Sequence, residues 1–259
     1  MLAGRPVSSG EKQLGLALLQ YAQDQDERYP NGVNPGNHWF WSGEGWAGQC
    51  APYVKSAALL RCPDDSTSVT TPAEFIVSYG YNINLIARAP DYAEKPDKAG
   101  YYERVPPPGL SLSELNAASQ SVVLFEVSGV TANITDPAEG AAPGGRTGRY
   151  FSASGNGLDN RLYAHLDEPT GTDNHYATGY LGGRPTAPTG QFQSAQGLHS
   201  GGSCFLLADG HVKWMRGASV SSGLAAVTPA DLQGTTQNGF SAAGTEAAST
   251  GILATFSPR

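Results

Sequence analysis

The segment LHSGGSCFLLADGHVKW, residues 198 to 214, constrains the fold more than any other part of the chain. Asp209-Gly210 is a preferred pair for a two-residue type I′ turn, because both central positions of that turn need positive φ. A turn there predicts a β-hairpin in which Leu207 pairs with Val212. Four large apolar side chains then share the face that enters the core: Phe205, Leu207, Val212 and Trp214.

The same segment contains three residue types that bind metals, namely His199, Asp209 and His211. Asp209 lies in the predicted turn and His211 follows it, whereas His199 precedes the first arm. Zinc needs three or four converging ligands, so a site would require the preceding loop to fold back along the arm. We expect no metal site; Asp209 should bond its own main chain, and His199 should lock its loop.

Nucleophilic chemistry has one candidate here, Cys204 paired with His199 or His211. Cys204 lies inside a predicted strand, where a buried cysteine is usually an inert small hydrophobe. The sequence contains no glycine-rich phosphate loop, no serine elbow and no HExxH pattern. We therefore predict no catalytic residues and no enzyme.

A helix is predicted for residues 11 to 30, EKQLGLALLQYAQDQDERYP. Ser9 can cap its start, and Pro30 disfavours helical geometry at Tyr29. Leu16 and Leu19 should widen the buried surface. The apolar stripe at helical spacing consists of Leu14, Ala17, Leu18, Tyr21 and Ala22.

The rest of the chain predicts an α+β domain. A short helix is expected at residues 51 to 60 and a helical turn at 112 to 117. Strands are expected at 74 to 87 and at 121 to 130, where a continuous apolar run indicates burial on both faces. Residues 131 to 190 are expected to form a loop-rich insertion. Within 237 to 259, the alternation of Ile252, Ala254 and Phe256 predicts an edge strand.

Composition and charge exclude some partners. The net charge is −7, and the 16 Lys and Arg residues form no cluster, so nucleic acid is not expected to bind. No run of 18 apolar residues occurs, which predicts no membrane span in this chain. The 33 glycines and 18 prolines are typical of the long polar loops of secreted and cell-surface proteins.

The three cysteines are Cys50, Cys62 and Cys204. Cys50 and Cys62 would flank the short helix about 15 Å apart at about 1.5 Å per residue, beyond disulfide reach. A disulfide from Cys62 or Cys50 to Cys204 is therefore favoured, and we predict the Cys62 to Cys204 bond.

Residues 31 to 46, NGVNPGNHWFWSGEGW, carry three of the four tryptophans. In the simpler interpretation these side chains pack over the first helix. In the alternative, Trp39 and Trp41 form a platform for a glycan or an envelope protein.

Four segments occur in an order that resembles bacterial prepilin-type proteins: KQLGLALLQYAQDQDERYP, PYVKSAALLRCPDD, SYGYN and HSGGSCFLLADGHVKW. Those proteins carry a motif of histidine, nine residues, then Asp-Gly, matched here by His199 and Asp209-Gly210. The closing ATFSPR is also similar. The resemblance implies a pilin-like fold, a helix on an antiparallel sheet, in a type IV pilin or a pseudopilin of type II secretion.

The resemblance also implies an extracellular or cell-surface structural protein that forms a homo-oligomer or homopolymer, a filament, tube or pseudopilus. Other envelope or secretion proteins are further expected partners. No cofactor follows, although some pseudopilins hold calcium in a loop, for which Asp64, Asp65, Asp167 and Asp173 are candidates.

The leader and the apolar helix of about 20 residues that begin such proteins are missing from this sequence. We expect residues 11 to 259 to form one pilin-like domain. Residues 1 to 10 would be flexible or would contact a neighbouring subunit, as would the strand that contains Ile252 and Phe256.

Overall fold

A computed structural model describes a helix, a sheet and the segments that join them. The described residues are 7–30, 46–69, 72, 74–82, 85, 94–96, 102–104, 109–126, 131–132, 134–135, 198–216, 219–221, 251–256 and 258.

The described elements are two α-helices, ten short strands and three 3-10 turns. The helices are α1 (Val7–Asp24) and α2 (Trp46–Cys50), and the 3-10 turns are Ala51–Tyr53, Ala57–Leu60 and Leu112–Glu114. The strands are β1 (Phe75–Ile76), β2 (Tyr79–Tyr81), β3 (Glu94–Pro96), β4 (Tyr102–Arg104), β5 (Val122–Glu126), β6 (Thr131–Ala132), β7 (Ser203–Leu207), β8 (Val212–Met215), β9 (Val220–Ser221) and β10 (Ala254–Thr255).

Helix α1 forms where the apolar stripe predicts it, although both of its ends differ from the prediction. It begins at Val7, so Ser9 lies inside the helix. It ends at Asp24 because Asp26 and Glu27 adopt left-handed backbone conformations, with φ of 53° and 59°. Four residues of the stripe are buried and Tyr21 is half-buried, whereas Leu16 is 58% exposed and does not widen it.

The central sheet is antiparallel with the strand order β2-β5-β7-β8. Every residue of β5 and β7 is buried, which confirms the prediction that the apolar run in β5 is covered on both faces. Helix α1 contacts β7 and β8. At Gly15 an added Cβ would lie 2.7 Å from Cδ1 of Leu206, so the absence of a side chain lets the helix approach the sheet.

The hairpin of β7 and β8 exists as predicted, but its register differs by one residue. Gly210 has a φ of 84°, while Asp209 does not have positive φ. The connection is therefore a three-residue loop that ends in a left-handed glycine. Leu206 pairs with Val212, and Cys204 pairs with Trp214.

This shift changes which side chains enter the core. Phe205 pairs with Lys213 rather than with Trp214, and Trp214 is 48% exposed. The prediction that Trp214 lies in the core is wrong. Because side chains alternate between faces, one residue more in the loop reverses the face of the whole second arm.

Two other predictions need correction. The helix expected at 51 to 60 is two 3-10 turns, and the strand expected at 74 to 87 is divided into β1 and β2. The predicted C-terminal strand exists as β10, which pairs in parallel with β9. Phe256 is fully buried, and its ring packs edge-on against Phe125 and Phe205.

Candidate functional site

His199 lies at the start of the tight turn that precedes β7. Its N–H donates to the carbonyl of Gly202 and its carbonyl accepts from the N–H of Gly202, at 2.9 and 3.1 Å. The two residues between them, Ser200 and Gly201, have φ of 50° and 85°, the signature of a type I′ turn. Trp214 donates its indole N–H to the carbonyl of His199 at 2.9 Å, which fixes the backbone beneath the imidazole.

The His199 ring joins two carboxylates from distant segments. Its Nε2 atom lies 2.6 Å from Oε1 of Glu126, and its Nδ1 atom lies 2.7 Å from Oδ2 of Asp64. Glu126 is fully buried, the histidine side chain is 10% exposed and the Asp64 side chain is 59% exposed. The ring therefore connects the interior of the protein to its surface.

Cys62 completes a compact cluster of three potential ligand atoms. Its Sγ atom lies 3.5 Å from Nε2 of His199 and 3.8 Å from Oε1 of Glu126. Cys62 is fully buried, and the second oxygen of Glu126 accepts the backbone N–H of Cys204 at 2.8 Å. We call Cys62, Glu126 and His199 the Cys-Glu-His cluster.

Glu11 adds a fourth polar group from α1. It is fully buried, and neither of its carboxyl oxygens has a hydrogen-bond partner among the described residues. Burial raises the pKa of Glu11, the charge of Glu126 raises it further, and the charge of His199 lowers it. The Glu11 carboxyl group is thus close enough to the Cys-Glu-His cluster to respond to two of its members.

The cluster favours a protonated imidazole. Hydrogen bonding to Cys62, and then to Glu126, raises the pKa of His199 to about 10, although burial opposes the shift. At neutral pH the ring is an imidazolium that donates to Glu126 and to Asp64. An interior carboxylate next to this cation is compensated, which is how buried charges are usually accommodated.

In space, Cys62, His199 and Asp64 are arranged like a nucleophile, a base and the acid that orients the base. One feature opposes that chemistry. Cys62 is fully buried, so its sulfur is not exposed to a substrate in solution. The same atoms are also of the types that bind a transition metal.

The structure separates the three predicted motif residues. His199 precedes β7, whereas Asp209 and His211 lie in the loop at its other end. Asp209 accepts the backbone N–H of His211 at 3.0 Å, as predicted for an aspartate in a turn, and it also contacts Nδ1 of His211 at 2.9 Å. His199 locks its turn through its backbone, while its ring binds side chains.

The other predicted site residues have mixed outcomes. All three cysteines are free and buried, so the predicted disulfide between Cys62 and Cys204 is absent, and the Cys62 sulfur instead faces Glu126 and His199. Phe256, predicted as a partner contact, is a core residue, and Ile252 is half-buried. Trp39 and Trp41 lie outside the described residues.

Two of the proposed calcium ligands bind protein groups. Asp64 contacts His199, while Asp65 is buried and accepts hydrogen bonds from the N–H of Thr67 at 2.9 Å and the hydroxyl of Ser78 at 2.6 Å. The other two, Asp167 and Asp173, lie outside the described residues.

Sequence reasoning missed Glu11 and Glu126 as site residues and assigned Cys62 to a disulfide, although both acids carry a visible signal. Glu11 lies three and seven residues before Leu14 and Leu18, which places a carboxylate on the apolar stripe. Glu126 is the charged residue in the apolar run VVLFE. An acidic residue on a face that must be buried needs a partner, and this rule identifies both.

Comparisons with known proteins do not assign the chain, since no family model, no curated protein and no solved structure matches it. Within the described residues, no helix has the length and apolar character needed to cross a membrane.

Proposed function

We propose that this chain is a structural subunit, the globular part of a pilin-like or pseudopilin-like protein. It would self-associate outside the cell as a filament or tube, or in a secretion-associated pseudopilus. The proposal rests on the contacts that the motif residues make. His199 ties the turn before β7 to Asp64 and Glu126, and Asp209-Gly210 closes the hairpin at the other end. Both parts of the motif therefore stabilise one element of the fold.

The chain order of the elements supports the same proposal. An N-terminal helix precedes an antiparallel sheet and packs on two of its strands, β7 and β8. This arrangement agrees with the fold that the four sequence segments imply. The hairpin that carries the motif is also the part of the sheet that α1 covers, so the motif stabilises the surface on which the helix lies.

A structural role also fits the chemistry of the cluster. The Cys62 sulfur is buried beside a carboxylate, and His199 is held as a cation between two acids. These conditions suit a fixed internal ion pair better than a reaction in which a substrate must reach the thiol.

A candidate contact surface for a second copy lies on α1. Leu16 is 58% exposed in the middle of the helix, and Gln20 is exposed one turn further along the same face. An exposed leucine on an otherwise polar helix face gains free energy when another subunit covers it. We propose that α1 of one subunit packs on its neighbour around Leu16.

The test is assembly of the purified chain, measured by negative-stain electron microscopy and sedimentation velocity over a range of protein concentration, salt and temperature. We expect oligomers or filaments for the wild type, monomers for Leu16→Glu, and normal assembly for Gln20→Glu. The two variants add the same charge to the same helix face, and circular dichroism checks that both fold. Monomers under all conditions for the wild type would refute the proposal.

A further inference from the structure

We propose that Cys62, Glu126 and His199, with Glu11 as a fourth ligand, bind a divalent transition metal ion of the zinc class. This inference is independent of the proposed structural function. It concerns how the four segments that meet in the interior are held together.

The Cys62 sulfur already has nearly tetrahedral spacing from the other two ligand atoms. Bonds of about 2.3 Å to sulfur and about 2.1 Å to nitrogen and oxygen place a sulfur about 3.6 Å from the other two ligand atoms. Sγ of Cys62 lies 3.5 Å from Nε2 of His199 and 3.8 Å from Oε1 of Glu126. Only the Glu126 to His199 contact of 2.6 Å has to open, by about 0.8 Å, for the ion to enter between them.

The buried carboxyl group of Glu11 is an independent indication that a cation binds here. This group has no hydrogen-bond partner among the described residues, and the charges of Glu126 and His199 both act on it. A buried carboxyl group without a partner loses its hydration without a replacement, which is unfavourable. Coordination of a cation would supply the missing partner. Zinc prefers four ligands, and Glu11 would become the fourth by moving toward Cys62, Glu126 and His199, the three residues whose ligand atoms already lie within 4.8 Å of one another.

Residues around the cluster hold the ligands as they do in known metal sites. Asp64 accepts from Nδ1 of His199, which leaves Nε2 for the metal once its proton is lost, the usual carboxylate-histidine-metal arrangement. The N–H of Cys204 holds the second oxygen of Glu126. The Asp64 side chain is 59% exposed and that of His199 is 10% exposed, so the His199 side of the cluster lies nearest to solvent.

The ligand types select the metal. A thiolate and an imidazole favour zinc, cobalt or iron over calcium and magnesium, which prefer oxygen ligands alone. Calcium, for which loop carboxylates such as Asp64 and Asp65 are the candidate ligands, is therefore not the ion for this cluster.

Cobalt is the spectroscopic probe. The full-length protein, purified without added metal under reducing conditions and treated with a chelator, is titrated with Co²⁺. We expect one equivalent to produce a near-ultraviolet thiolate-to-cobalt charge-transfer band and strong tetrahedral visible bands, both of which Zn²⁺ removes by displacement. The charge-transfer band should be lost in Cys62→Ser and kept in Cys50→Ser, which changes a buried cysteine that is not in the cluster.

Zinc affinity measured by competition with a chromogenic chelator completes the test. Loss of a ligand in His199→Ala should weaken binding by more than the roughly 100-fold that loss of an outer partner can cause, and Asp64→Asn by about 10- to 100-fold. His211→Ala, which changes an exposed histidine, should leave affinity unchanged.

Glu11→Gln keeps the size of the side chain. It therefore tests the proposal even if the other variants fail to fold. It should bind zinc more weakly than the wild type while remaining folded by circular dichroism. Three results would overturn the proposal: no stoichiometric cobalt spectrum in the wild type, a charge-transfer band that persists in Cys62→Ser, or wild-type zinc affinity in Glu11→Gln.

Discussion

The Nε2 atom of His199 lies 2.6 Å from Oε1 of Glu126, although the two residues are separated by 73 positions in the sequence. This contact joins the last residue of β5 to the turn that leads into β7, the strand beside it. Each residue has a second anchor, Asp64 for the imidazole and the backbone of Cys204 for the carboxylate. The pair is therefore a fixed junction between the sheet and the loops at its edge.

Removing the imidazole should destabilise the protein. His199→Ala leaves the buried Glu126 without its cationic partner, and breaking such a pair lowers the free energy of unfolding by about 3 kcal/mol or more. His211→Ala removes an exposed histidine that contacts only Asp209 in the described structure and should change it by less than about 1 kcal/mol. Urea denaturation followed by circular dichroism measures both, and equal effects would argue against the junction.

The three-residue hairpin loop predicts a specific role for Gly210. Gly210→Ala forces a Cβ into a left-handed conformation and should destabilise the protein by about 1 kcal/mol or more. Gly210→Asn should lose less stability than Gly210→Ala, since asparagine tolerates that conformation better. Thermal unfolding of the two variants compares them, and an alanine variant as stable as the wild type would contradict the observed loop.

The hairpin register predicts unequal roles for Phe205 and Trp214. Phe205 is fully buried, so Phe205→Ala should lower the free energy of unfolding by about 3 to 5 kcal/mol. Trp214 is 48% exposed, so Trp214→Ala should lower the free energy of unfolding clearly less, although tryptophan is the larger side chain. Equal losses in chemical denaturation would instead favour the register with the two residues paired in the core.

The two residues that flank β10, Leu253 and Phe256, allow a comparison of an exposed and a buried position. Phe256 is fully buried against Phe125 and Phe205, so Phe256→Ala should lower the free energy of unfolding by about 3 to 5 kcal/mol. Leu253 is 54% exposed, and Leu253→Ala should change it by less than about 1 kcal/mol. A Phe256 variant with wild-type stability but impaired self-association would restore the interpretation of this residue as a partner contact.

The free cysteines should be protected in the native protein. Burial raises the pKa values of the Cys50 and Cys204 thiols, which removes the thiolate form that alkylating reagents attack. Mass spectrometry should find slow labelling of both in the folded protein, and three labelled cysteines after unfolding without a reductant. Only one labelled cysteine after unfolding would indicate a disulfide.

Local patterns predicted much of the fold. The stripe from Leu14 to Ala22 predicted α1, the apolar run in β5 predicted a strand buried on both faces, and the segment around Asp209-Gly210 predicted a hairpin. Each prediction rests on the side-chain period of a single element, which the order of residues determines directly. The ends of α1 were less predictable, because Asp26 and Glu27 adopt conformations that few non-glycine residues take.

The tertiary structure decided the hairpin register and the membership of the cluster. One residue in the loop between β7 and β8 reverses which face enters the core, and the Asp-Gly pair suits both loop lengths. The Cys-Glu-His cluster is formed by side chains from three separate segments, at positions 62, 126 and 199, and Glu11 of α1 is buried and interacts electrostatically with two of them. The sequence shows Glu11 and Glu126 as acids on apolar faces that need partners. Only packing of α1 and the sheet determines which groups meet there, because no local period links residues so far apart.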